Sequence, residues 1–246
     1  MTPLDRRSLV TSDGTAAVVR ASTPSTHDDA RQLAVSGEPH GTWVVAERQT
    51  AGRGRLGRAW SMPPEAGLAI SVLLRPRLAP HEVPLLCLAA AVAVAGLHPR
   101  LQIKWPNDVL LPDGRKVCGI LAEAEPGDDG VSFVLLGLGV NVHAAPPLPT
   151  AGHLDELQPA TPWRREAIAV GLVEEVLRWT ARLEAGGVDD LVTAWTERSY
   201  TTGRRVRVGS VEGIATGIDA SGALWVQTDD GQRRAIVAGD VELVRW

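Results

Sequence analysis

Lysine is nearly missing from this sequence: its 25 Lys and Arg residues include only two lysines, Lys104 and Lys116. Cysteine is as sparse, and Cys87 and Cys118 stand far apart in apolar surroundings, which excludes CxxC redox chemistry and a cysteine-built metal site. The six histidines are scattered and form no HExxH pattern, which argues against a protein-built zinc centre. A strong charge of either sign is also lacking. Net charge is -4 with a pI near 5.9, against a dedicated binder of nucleic acid or of anionic membranes. No signal peptide opens the chain, and its longest apolar run, Val83 to Leu97, carries Pro84 and falls short of the about 20 residues a membrane span needs. These absences predict a reduced, cytoplasmic, globular protein with no nucleic-acid or membrane partner. With 246 residues there is chain for one large domain and a small appendage.

Residues 1–15 are polar and bear Gly, Ser and Thr, which predicts a flexible N-terminus. A strand is expected over 16–20. Ser22 to Thr26 then leads into a helix over 27–34, with Asp28 and Asp29 as favourable charges at its positive end. Residues 42–47 and 67–74 read as strands, the second almost wholly apolar. QTAGRGRLGR, over 49–58, has too many glycines for regular structure and reads as a loop. A helix apolar on all sides is expected over 83–97. Four short β-runs at 101–104, 109–111, 117–124 and 131–138, divided by turn signals, suit antiparallel neighbours in a mixed sheet. Amphipathic helices are expected over 163–183 and 189–198. Past Gly203 come five short β-runs, the signature of a small SH3-like barrel over 203–246, with 16–202 as the main α/β (α+β) domain.

Four motifs carry chemistry. Gly52 to Arg58 (GRGRLGR) sets three guanidinium groups on a backbone whose glycines let amides approach an anion, so it can cradle a phosphate or carboxylate. A solvated basic loop or a nucleic-acid contact is the competing reading. Trp60, just beyond, offers a flat surface to a ring-shaped ligand, or is core. Lys104-Trp105-Pro106-Asn107-Asp108 presents an ammonium, an amide and a carboxylate at one turn, although Asn-Asp after Pro is ordinary turn chemistry. Lys116 heads a buried strand in which Gly119 permits close approach; such a lysine also serves as an edge gatekeeper. Asn141 ends the Gly137-Leu138-Gly139-Val140 run in an amide able to read a base edge. Both lysines of the chain thus fall in these motifs, and lysine differs from arginine in approaching an oxygen as a compact point charge.

Taken in this order, the Pro-Ser25-Thr26 segment, GRGRLGR-x-W, KWPNDV, KVCGIL, GLGVNV and the Gly217 to Leu224 pattern make the chain resemble the biotin protein ligases over about residues 16 to 246. The resemblance implies the mixed α/β sheet shared with class II aminoacyl-tRNA synthetases and lipoate ligases, followed by the small barrel. It implies a two-step reaction: biotin and MgATP give biotinyl-5'-AMP, and the acyl group then passes to a lysine of the biotin carboxyl carrier domain of biotin-dependent carboxylases. By motif, Arg55 and Lys116 are implied as the catalytic cations holding carboxylate and phosphate. Ser25, Thr26, His27, Gln49, Arg53, Gly54, Trp60 and Gly119 join them around biotin. Arg58, Lys104, Asn107, Asp108 and Asn141 join them around ATP. No residue is assigned to the metal.

His27 departs from the family's usual Ser-Thr-Asn. The short stretch before Ser25 leaves no room for the N-terminal DNA-binding domain of the repressor members, so a monofunctional ligase is expected. Two other functions compete. A lipoate or octanoate ligase or transferase would share the fold; a non-enzymatic nucleic-acid module would use the arginine loop and the barrel.

Overall fold

An all-apolar strand is stable where both of its faces are covered. Gly67–Leu74 is such a strand, and in the computed structural model, which describes residues 2–128 and 130–244, every one of its residues is buried. It is β3 of a seven-stranded sheet whose other members are β1 (Val18–Arg20), β2 (Trp43–Ala46), β4 (Gln102–Lys104), β5 (Asp108–Leu110), β6 (Lys116–Gly127) and β7 (Gly130–Asn141). The order is β1-β2-β3-β7-β6-β5-β4. β1 and β2 run parallel and all other neighbours are antiparallel, so the sheet is mixed as expected. β6 and β7 are longer than the apolar runs that announce them, because the hairpin continues through Glu123, Glu125 and Pro126 beyond its hydrophobic part.

Alternation along the central strands sorts residues to two faces. Leu68, Ile70, Val72 and Leu74 of β3, with Val134, Leu136, Leu138 and Val140 of β7, enter the main core under α2 (Val83–Ala95), α3 (Arg165–Glu184) and α4 (Val188–Glu197). Leu73, Phe133 and Leu135 face the other way and pack against Ala30 and Ala34 of α1 (Thr26–Val35). α2 is buried on nearly all sides, as an apolar helix between a sheet and other helices must be. Further along the α1 face the large residues give way to Ala69 and Ser71 on β3, Gly137 and Gly139 on β7, and Gly119 on β6. Gly139 is in register with both Ala69 and Gly119. The sheet therefore carries a trough floored by small residues beside the start of α1.

The C-terminal part is a five-stranded antiparallel sheet: β8 (Arg205–Val208), β9 (Val211–Ile218), β10 (Leu224–Gln227), β11 (Arg233–Ile236) and β12 (Glu242–Leu243), in the order β11-β10-β9-β8-β12. Trp105 ties it to the large sheet. Its indole Nε1 donates to Gly222 O at 3.0 Å and its backbone N–H to Thr201 Oγ1 at 2.9 Å.

Residues 2–15 correct the expectation of a flexible terminus. Leu9 is fully buried and Leu4 nearly so, and Arg165, only 4% exposed, binds Thr2 O at 2.6 Å and Glu47 at 2.6 Å. The segment is polar on average, but two well-placed leucines and a buried ion pair are enough to hold it to the body.

Candidate active site

Two adjoining cavities lie over the trough. The smaller, about 50 Å³, is bounded by Ser25, Thr26, His27 and Gln49 at one end, the trough glycines below, and Arg53, Arg55 and Lys116 at the other. The larger, about 290 Å³, is bounded by Arg58, Asp108, Asn141 and Asp240 among others. Gly54, Arg55, Trp60, Asn107 and Lys116 line both, so these residues form the junction.

The polar end of the small cavity grows from the start of α1. Ser25 caps the helix, its Oγ accepting from His27 N at 3.3 Å. Thr26 donates to Gln49 Oε1 through its backbone N–H (2.8 Å) and its hydroxyl (3.0 Å). Ser71 Oγ donates to Thr26 Oγ1 at 2.8 Å and lies 2.9 Å from His27 Nδ1. Ser71 was not among the residues the motifs point to, and its signal was faint: it is the one hydroxyl in the apolar run GLAISVLL. His27 is buried, which pushes its pKa below the usual imidazole value, and its Nε2 has no partner among the described residues.

The trough glycines make room for what lies on them. A Cβ at Gly137 would stand 2.2 Å from His27 Cε1, one at Gly139 2.3 Å from Trp60 Cε2, and one at Gly119 2.9 Å from Lys116 Nζ. Trp60 thus rests in the trough, with Lys116 Nζ 5.5 Å from its ring centre. Its indole Nε1 is buried and unpaired among the described residues.

At the junction every cation has a carboxylate from another element. Lys116 Nζ is 2.5 Å from Asp108; Arg53 is 2.8 Å from Asp28 and 3.7 Å from Glu123. Arg55 donates to Asn107 Oδ1 at 3.1 Å and pairs with Asp240 at 3.5 Å, and Arg58 pairs with the same carboxylate. Asn107 is fixed in turn by donating to Ile120 O at 2.7 Å. Within the loop, Leu56 holds φ at 55°, a left-handed backbone uncommon for leucine, with its side chain 73% exposed. Asn141 is buried; its amide donates to Gly152 O at 3.0 Å and leaves Oδ1 unpaired among the described residues.

The structure brings together Ser25, Thr26, His27, Gln49, Arg53, Gly54, Arg55, Trp60, Lys116 and Gly119 at the small cavity, and Arg58, Asn107, Asp108 and Asn141 at the large one. Lys104 stands apart: it closes β4 opposite Asp108 and lines neither cavity. Asp240, from the C-terminal part, was missed because no motif surrounds it. Cys118 is buried and Cys87 half-buried; burial raises both thiols, Cys87 to about 11, so neither is a ready nucleophile. Among the described residues no group of three His, Cys, Asp or Glu could hold a metal ion.

Fold and site together define a cofactor–protein ligase. The chain belongs to the biotin/lipoate A/B protein ligase family, whose model matches residues 19–141, while the biotin protein ligase C terminal domain matches 201–244. It is 38% identical to a biotin--[acetyl-CoA-carboxylase] ligase of Mycobacterium tuberculosis, over 99% of this chain and 97% of that one. It is 37% identical to the enzyme of that name from Paracoccus denitrificans, over 90% and 98%. Among solved structures, the biotin protein ligase from Aquifex aeolicus in complex with biotin and ATP superposes with a TM-score of 0.77 at 26% identity, covering 94% of this chain and 99% of that one.

Proposed function

We propose that this protein condenses biotin with ATP to biotinyl-5'-AMP and passes the biotinyl group to a lysine of a biotin carboxyl carrier domain of a biotin-dependent carboxylase. The observation that carries the reading is the pair of cavities meeting at Arg55, Asn107 and Lys116. A neutral, hydrogen-bonding end suits the ureido ring, with Ser25, Thr26, His27 and Gln49 around it, while Gly119 makes room for Trp60 and Lys116 at the other end. The second cavity suits the nucleotide, with the unpaired Asn141 Oδ1 as acceptor for adenine's amino group.

The carboxylate of biotin must attack an α-phosphorus that is itself surrounded by negative charge. Lys116 and Arg55, at the junction, hold both reacting groups together and offset charge as it develops, with pyrophosphate as leaving group. The carrier amine then attacks the acyl carbon and AMP departs. Arg53 and Gly54 close over the biotin side, and Arg58 over the nucleotide, which keeps water from the mixed anhydride. The small cavity, at about 50 Å³, is of the order of one or two water molecules, so biotin enters with movement of the Gly52 to Trp60 loop. That segment is built for it, with glycines at 52, 54 and 57.

Magnesium would arrive on the nucleotide, held chiefly by phosphate oxygens as is usual for this ion, with Asp108 as the carboxylate of the large cavity within the KWPND turn. When bound it supplies further charge neutralisation at the phosphates. That fits a site with carboxylates but, among the described residues, no built metal cage. Lys104, at the edge of this region, is left without a role. No helix among the described residues is long and apolar enough to cross a membrane.

The test is ATP–pyrophosphate exchange with purified protein and magnesium, offering biotin, lipoate and octanoate in parallel. Exchange with biotin alone is expected. Exchange with lipoate or octanoate instead would keep the fold and overturn the substrate.

A further inference from the structure

His27 stands where the pattern of the family has an amide, and its surroundings settle which of its nitrogens carries the proton. A backbone N–H can only donate, so Gln49 Oε1, 2.8 Å from Thr26 N, is an acceptor. The Thr26 hydroxyl, 3.0 Å from that same oxygen, must then donate to it, and its lone pairs accept from the Ser71 hydroxyl at 2.8 Å. With its proton spent on Thr26, Ser71 Oγ has only lone pairs to offer His27 Nδ1 at 2.9 Å. Nδ1 therefore carries the hydrogen. In the neutral ring Nε2 is a bare lone pair, buried and unpaired among the described residues in a side chain that lines the small cavity.

Nothing nearby favours the charged ring enough to change this. Ser71 on β3 and Gly137 on β7 bring no charge. Glu123 on β6 and Asp28 on α1 favour the cation, Arg53 of the loop and Arg31 of α1 oppose it, and burial outweighs them all. The ring cannot slide away either, since it lies directly on Gly137.

We propose that His27 presents Nε2 as a fixed acceptor for one ureido N–H of biotin, and that Ser71 is the positioning residue that sets this polarity. The proposal rests on the reading of the small cavity as the seat of biotin's ring. It also gives a physical reason for selecting biotin within a family named for both acids. A cyclic urea brings two N–H donors, whereas the dithiolane ring of lipoate brings none and would leave the buried lone pair unsatisfied.

The experiment is imidazole ¹⁵N spectroscopy of the full chain at neutral pH, with His27 assigned by its absence from the spectrum of His27→Asn. The expected spectrum has Nδ1 protonated and Nε2 bare, and added biotin shifts Nε2 as it accepts a hydrogen bond. Ser71→Ala, which deletes the acceptor for Nδ1–H, is expected to mix the two tautomers and to weaken biotin binding by about 5- to 100-fold. A protonated Nε2 in the free protein, an Nε2 signal unmoved by bound biotin, or a Ser71→Ala tautomer identical to wild type would each overturn the role of His27. Failure of biotin to bind the wild-type chain at all, read by calorimetry on the same sample, would overturn the reading of the cavity itself.

Discussion

Adding one methyl group at each of two positions on the same face of β7 should have very different costs. Neither Gly137 nor Gly139 has a positive φ, so alanine fits the strand backbone at both, and the loss of unfolded-state freedom alone would stabilise by about 0.4–1 kcal/mol. At 137 the new Cβ meets His27 Cε1 at 2.2 Å, and that ring belongs to a packed helix and is 5% exposed. Overpacking costs about 1–3 kcal/mol. Displacing the ring also breaks its 2.9 Å bond to Ser71 and leaves buried polar groups unpaired, about 1–3 kcal/mol more. The net loss for Gly137→Ala is about 3 kcal/mol, a fall in Tm of about 6–12 °C for a chain of this size. At 139 the Cβ meets Trp60 at 2.3 Å, but Trp60 sits at the end of a loop held by ion pairs, and the loop can lift. Gly139→Ala should therefore stay within about 1 kcal/mol of wild type. Scanning calorimetry of the two variants decides it. Equal losses would refute the distinction between a ring fixed by a helix and a ring carried by a loop.

Lys116→Ala should lower ATP–pyrophosphate exchange with biotin by about 10²- to 10³-fold, as for other positioned transition-state donors; near-normal exchange would remove Lys116 from the chemistry. Arg55→Ala loses its bonds to Asn107 and the C-terminal part, so biotinyl-5'-AMP should escape and label lysines of bystander proteins; labelling no greater than wild type would mean that the loop does not seal the site. Glu47→Ala strands a buried guanidinium, and should cost about 3–5 kcal/mol and expose residues 2–15 to limited proteolysis. Asp219 is partly buried, which raises its pKa, but hydrogen bonds from Ser221, Trp225 and Ala223 outweigh this and hold it below its ordinary value. Its contribution is therefore present above the unfolded carboxyl pKa of about 4 and is lost as the pH falls through the lower folded value. Asp219→Asn should flatten that part of the acid unfolding curve, and an unchanged curve would discount the turn.

Much of the fold could be read in the sequence because burial imposes a period. The apolar run at 67–74, the all-apolar α2 and the five turn-bounded runs after 203 each carry a pattern that one architecture satisfies, and the helices at 26–35 and 165–184 differ from expectation by a residue or two at their ends. The N-terminal segment could not be read, because two leucines in a polar stretch make no pattern; their meaning depends on Glu47 and Arg165 far along the chain. The same holds for the site. Motif residues that lie close in sequence were legible as groups, whereas Ser71 and Asp240 matter only through contacts with Thr26, His27, Arg55 and Arg58. Lys104 shows the converse: it belongs to a motif, yet it lines neither cavity.

The internal pairing of the loop's arginines bears on how the protein responds to salt. An exposed run of three guanidinium groups attracts mobile anions, and its affinity for a polyanion falls steeply as salt displaces them. Here the matching charges are covalently part of the chain, on α1, β6 and the segment before β12. An arriving phosphate exchanges with carboxylates of the protein and releases few ions from solution, so the salt dependence of nucleotide binding should be shallow.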